Sequence, residues 1–215
     1  MSKNIEHLLS VASDPVSQKP AVGESSQLLV QLGERGRELI GLLAHRNGFF
    51  AFESALLVRP LDCPASPLGM LQWNDTAQWK AEYKVDLSSV VFFAEDIFGV
   101  QFCVNHNAVN SFDPETGELA AIAGNLEDWA RWVLEDARTR TGWPLAHLWQ
   151  QQKGPLKLGT RLLPKVPFVL GGQFAVENLY ALDETEGMRF RASIANQIHD
   201  SPDGSKVVLD IKRSE

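Results

Sequence analysis

VVFFAEDIFGVQFCVNHNAVNSFDPETGELAAIAGNLEDWARWVLED, residues 90–136, is the stretch whose reading decides the fold. Residues 90–94, 100–105 and 108–112 are short runs rich in β-branched and aromatic side chains, the composition of strands. Asn105-His106-Asn107 separates the second from the third as a tight loop, because Asn tolerates the positive φ a hairpin needs. Asp113-Pro114-Glu115-Thr116-Gly117 is a further turn: Asp opens it, Pro presets φ and Gly closes it. After Gly124 the period changes to helical, with Leu126, Trp129, Ala130, Val133, Leu134 and Ala137 on one face. Asn125 is placed to cap that helix, and Asp128 follows three residues later. The sequence therefore predicts a three-stranded antiparallel meander and a helix covering one of its faces.

Charge is unevenly spread around this unit. Residues 85–136 hold ten carboxylates against the single base Arg131, so this segment is more negative than the whole chain at −7. Arg138, Arg140, Lys153, Lys157, Arg161 and Lys165 then follow without an intervening acid. Such a field opposes nucleic acid at the meander and favours a basic protein partner, unless the carboxylates are merely solvated turns and helix faces. The residues predicted to carry partner binding are Glu95, Asp96, Phe98, Asp113, Glu115 and Glu118.

The 215 residues suffice for a large core, and 44% hydrophobic with 22% charged residues is globular composition. No apolar run approaches the roughly 20 residues of a membrane span, and residues 1–20 lack the apolar region of a secretory signal. Cys63 and Cys103 are too few for a disulfide framework, so the expected setting is the reducing cytoplasm.

Working outward, residues 1–24 read as a loosely attached segment with a short helix near Ile5, punctuated by Asp-Pro and Lys-Pro. Residues 25–46 read as one helix stopped by Asn47-Gly48, and the second half of 49–60 as a strand ended by Pro60. Two short helices are expected over 68–83, with Trp73, Trp79 and Tyr83 packing on the meander. Beyond residue 140 the expectations are a helix at 145–152, an irregular Pro-punctuated passage to 167, strands at 168–172 and 174–182, a helix at 185–199 and a strand at 205–212. The fold class is α+β: a core over 25–140 and a C-terminal α+β extension over 141–215 packed on it.

Motifs for chemistry are scarce. The five histidines have no HxH or HxxxH spacing, and no Walker, GxGxxG or GxSxG string occurs, so no metal, cofactor or nucleophile is expected. Gly171-Gly172 lacks the residues that would make it a phosphate loop. Glu95-Asp96 could supply a general acid if burial raised one pKa, as in a carboxylate-based hydrolase, provided a bulge let adjacent residues share a face.

FFAEDIFGVQF, NSFDPETGE, the tryptophan helix NLEDWARWVLED and the preceding RNGFFAFESAL together resemble the SUKH superfamily over about residues 25–140. That group includes fungal Smi/Knr-type cell-wall regulators and many bacterial immunity proteins. PFVLGGQFAVENLYAL and EGMRF are similar to a C-terminal extension of a bacterial branch. The resemblance implies a twisted, mostly antiparallel sheet with helices packed around it and no enzyme activity. It implies a cytoplasmic protein that neutralises a cognate toxin of a polymorphic or type VI secretion system. The alternative within the same family is a scaffold or regulator of the Smi/Knr kind. An acidic surface suits the first, since a nuclease-type toxin presents a basic substrate face. Phe98 would anchor that contact. The basic stretch Arg138 to Lys165 is not explained by the resemblance, and self-association through it is a further expectation.

Overall fold

A computed structural model describes residues 2–18, 27–63, 69–202 and 204. In chain order the helices are α1 (Lys3–Ser10), α2 (Gln27–Val30), α3 (Gly33–His45), α4 (Met70–Trp73), α5 (Leu126–Glu135), α6 (Ala137–Thr141), α7 (Trp143–Lys153) and α8 (Glu184–Ile198). The strands are β1 (Phe49–Ala51), β2 (Leu56–Val58), β3 (Val91–Asp96), β4 (Gln101–Val104), β5 (Val109–Phe112), β6 (Leu119–Ala123), β7 (Thr160–Pro164) and β8 (Leu179–Asp183). β1 to β6 form one antiparallel sheet in sequence order, and β7 pairs with β8 in a second sheet. The α+β class stands, with the meander extended by a hairpin on one side and β6 on the other.

The large sheet is covered on both faces. One side packs Ile5, Leu8, Leu39, Leu42, Trp129 and Val133 from α1, α3 and α5 onto Phe49, Val58, Phe93 and Phe102. The opposite side packs Trp73, Trp79, Tyr83 and the α8 residues Met188, Ala192 and Ala195 onto Phe92, Cys103 and Phe112. A third apolar group joins Ile97 at the end of β3 to Trp149 of α7, Leu162 of β7 and Leu179 of β8. The C-terminal layer thus closes one face and one end of the sheet.

Several expectations change on the way. Residues 1–24 are not loosely attached where described: α1 buries Ile5, Leu8 and Leu9, and the Glu127 carboxylate accepts from Ser2 Oγ, Asn4 N and Ile5 N at its start. The predicted single helix over 25–46 breaks because Gly33 takes φ +62°. Residues 49–58 form a hairpin whose turn holds Phe52, Glu53 and Ser54 all at positive φ, where non-glycine residues are uncommon. The expected strand at 168–172 is instead a 3-10 turn over Phe168–Leu170, since Gly171 at φ +87° and the Val166-Pro167 segment fold the chain back. The passage expected to be irregular contains β7, the strand expected at 174–182 begins only at Leu179, and the strand expected at 205–212 lies outside the described residues.

One irregularity decides where the chain's charges go. Phe92 faces Cys103 across β3–β4 and Ala94 faces Phe102, so Phe93 is an extra residue, a bulge. Unbulged alternation would send Glu95 to the α3/α5 side with Phe93; the extra residue sends it to the other face, opposite Gln101. There Glu95 meets Arg59 at 3.0 Å and Arg161 at 2.7 Å, while Arg59 pairs with both oxygens of Glu184 at 3.1 Å. Gln101 donates to Glu95 at 2.7 Å and accepts from the Trp73 indole at 2.9 Å. Arg59 also lies 3.7 Å above the Trp73 ring. All four charged residues are buried. Glu95→Ala leaves two buried guanidiniums short of a counter-charge and is expected to cost about 3–5 kcal/mol in urea unfolding. Glu118→Lys, on the exposed hairpin, is expected to stay within about 0.5 kcal/mol of the parent.

Candidate binding pocket

The turn between β3 and β4 is built on Asp96. Its Oδ1 accepts from Phe98 N at 2.9 Å and Val100 N at 2.8 Å, and Gly99 supplies the φ of +78° that the reversal requires. This pins Phe98 at the sheet end. Gly142, at φ +68° between α6 and α7, packs so closely that a Cβ there would collide with the Phe98 ring. From the other side the 166–174 loop brings Phe168 and Phe174 against Phe98, at centroid distances of 5.4 and 5.8 Å. Those two rings stack on each other at 3.9 Å.

Glu115 holds this loop in place. Sitting in the β5–β6 turn, its Oε2 accepts from Val169 N at 2.8 Å. Tyr83 secures the same turn to α8, donating to Pro114 O at 2.9 Å. Asp113 caps the turn through Glu115 N at 2.8 Å, and Gly117 N returns to Asp113 O at 2.8 Å, as its spacing predicts. Between these elements lies a cavity of about 680 Å³ whose lining includes Asp96, Phe98, Asp113, Glu115, Phe168 and Phe174. Arg138 stands exposed at it, and Arg191 of α8, 2% exposed, forms part of its inner wall. Arg191 donates to Phe98 O and to Met188 Sδ, while its Nε finds no hydrogen-bond partner among the described residues.

Of the six residues predicted to bind a partner, four meet here: Asp96, Phe98, Asp113 and Glu115. Glu95 and Glu118 do not. Glu95 is a fully buried member of the internal charge network, so it cannot serve as a docking carboxylate. Glu118 is exposed on the same hairpin but outside the cavity. Asp96 and Glu115 are also buried, which corrects the expectation of an open acidic platform. The basic run is partly internal as well: Arg161 pairs with Glu95, and Lys165 donates to Glu177 O. Phe168, Phe174 and Arg191 are not marked as site residues by the sequence, and Arg138 is marked only as the start of the basic run; the apolar string VPFVLGGQF between turns is the available signal. His106 sits in the hairpin at the far end of β4 from Glu95 and Asp96, beside Gly33.

Burial dominates the titration of these groups. It pushes Asp96 up to about 7, against the pull of its two amide bonds and of Arg191. It raises Glu115 as well, and the Val169 amide and Arg191 offset this only in part. Burial also opposes ionisation of Glu95, but Arg161 and Arg59 overcome it and hold that carboxyl well below the usual range; Glu184, shared with Glu95 around Arg59, is raised.

The fold and cavity define an α+β protein with a meander sheet and a pocket at the junction of sheet and C-terminal layer. In fold it is similar to the crystal structure of Atu4351 from Agrobacterium tumefaciens, at 14% identity, 87% coverage of each chain and a TM-score of 0.60. No family model and no curated protein matches the chain.

Between about pH 4 and 7 the folded state keeps a proton on Asp96 that the unfolded chain releases, so stability declines as pH rises through that window. Glu184 and Glu115 act in the same direction, and Glu95 in the opposite one below pH 4.5. Asp96→Asn retains an oxygen for both amides and cannot ionise. In thermal or urea unfolding across pH, it is expected to match the parent near pH 4 and exceed it by roughly 2–4 kcal/mol at pH 8.

Proposed function

We propose that this chain is a non-enzymatic, cytoplasmic binding protein of the SUKH immunity type, which docks a basic toxin over the sheet end that carries Phe98. The observation that carries this reading is the exposed apolar surface of the 166–174 loop: Val166 is 50% exposed, Val169 40% and Phe174 68%. Contiguous exposed apolar side chains around a concavity mark protein-binding surfaces, and aromatic residues there supply most of the binding energy. Asp113 and Glu118 remain exposed beside it and suit a positively charged partner. Exposed charges at the edge of such a surface set association rate more than affinity.

A hydrolase is the second reading, favoured by Asp96, which lines a cavity and is raised to about 7, the range of a general acid. Among the described residues the cavity lining holds no His, Cys, Ser or Lys, so this reading has to draw its nucleophile or base from Asp113 or Glu115. Turnover of p-nitrophenyl esters or glycosides that disappears in Asp96→Asn would select this reading.

The direct test takes a toxin gene found beside the gene for this chain, if there is one, and expresses it with and without the chain. Wild-type protein is expected to restore growth and to bind the toxin with strongly salt-dependent association. Asp113→Lys with Glu118→Lys is expected to slow that association by roughly ten- to a hundredfold at low salt. Unprotected growth with soluble wild-type protein present would overturn the proposal.

A further inference from the structure

We propose that the cavity is a receptor for a single cationic side chain, a guanidinium or ammonium on an aliphatic stem, presented by the basic partner. This deepens the binding reading above and rests on it for the source of the cation. Three phenyl rings, Phe98, Phe168 and Phe174, line the cavity beside three carboxylates, Asp96, Asp113 and Glu115. Aromatic faces attract cations through their quadrupole, and the apolar walls accept an aliphatic stem. The carboxylates are not saturated by protein. Both amides on Asp96 go to Oδ1, and among the described residues Oδ2 accepts no hydrogen bond. None of the three is in an ion pair with a protein cation among the described residues, in contrast to Glu95. The cavity's own cations close no ion pair with these acids among the described residues: Arg191 acts on Asp96 and Glu115 only through its charge, donating to Phe98 O and Met188 Sδ with its Nε unpartnered, and Arg138 lies at the surface, 5.9 Å from the Trp143 ring. Burial disfavours the ionised forms of Asp96 and Glu115, so an entering cation would recover the interaction that their environment withholds.

The probes are N-acetyl-arginine amide, N-acetyl-lysine amide, the uncharged N-acetyl-norleucine amide and the anionic N-acetyl-glutamate amide. Each is titrated into the full chain at pH 8 with amide chemical shifts as the readout. Saturable shifts at Phe98, Gly99, Thr116 and Val169 are expected for the two cations and not for norleucine or glutamate. Phe174→Ala, at an exposed position, is expected to weaken arginine amide roughly three- to tenfold. Equal binding of norleucine amide would reduce the cavity to an apolar groove. Preferred binding of glutamate amide would assign it to Arg138 and Arg191. Either result, or no saturable shift at all, overturns the inference. Toxin protection without arginine amide binding sinks this inference and spares the immunity reading; the reverse pattern spares the receptor and sinks the immunity reading.

Discussion

Arg59, Glu95, Arg161 and Glu184 bring two basic and two acidic side chains together beneath the C-terminal layer, buried with little water to screen them. Moving such groups out of water is costly, and their mutual attraction roughly repays that cost only when every member is present. The network therefore specifies an arrangement more than it adds stability. Its members come from the end of β2, from β3, from β7 and from the first turn of α8, so only one placement of the later elements on the sheet satisfies all four. Gln101 and Trp73 extend the same constraint to β4 and α4. The cavity follows from it, because the layer held by Arg161 and Glu184 also carries Phe168, Phe174 and Arg191.

Local chemistry made much of the fold readable. Asn105, Asp113 and Asn125 each turn or cap the chain through a side-chain oxygen: Asn105 Oδ1 accepts from Asn107 N and Ala108 N, Asp113 from Glu115 N, and Asn125 from Asp128 N, although neither Asn105 nor Asn107 takes the positive φ expected of that loop. These interactions span two or three residues, which is the range that a one-dimensional pattern encodes. β6 was hidden for the opposite reason. LAAIA is a good helix sequence, and its strand state comes from pairing with β5. The turn at Phe52-Glu53-Ser54 offers no glycine to announce its positive φ, and the Phe93 bulge leaves no mark on composition.

The site was half readable. Asp96, Phe98, Asp113 and Glu115 converge because two turns of the meander lie at the same end of the sheet. Counting carboxylates, however, treats every acid as a surface charge. Burial depends on which face a residue occupies, and one inserted residue in β3 is enough to exchange the faces. The same ambiguity affected the basic run, where Arg161 is an interior residue and Lys165 bonds a neighbouring carbonyl. Phe174 reads in sequence as the first residue of a strand over 174–182, yet it lies in the loop before β8, 68% exposed, and a strand pattern does not separate an exposed aromatic from a core one.

The sequential order of the large sheet has a consequence for synthesis on the ribosome. All six strands, and the helices on the α3/α5 side, are complete once residue 135 has left the exit tunnel. The other face, with Phe92, Cys103 and Phe112, has only Trp73, Trp79 and Tyr83 over it until the Met188, Ala192 and Ala195 side of α8 arrives some fifty residues later. At elongation rates of about 5–20 residues per second, that delay is several seconds, far longer than hairpins need to form. Through that interval the sheet lacks part of the cover on one face, and α8 is the element that completes it.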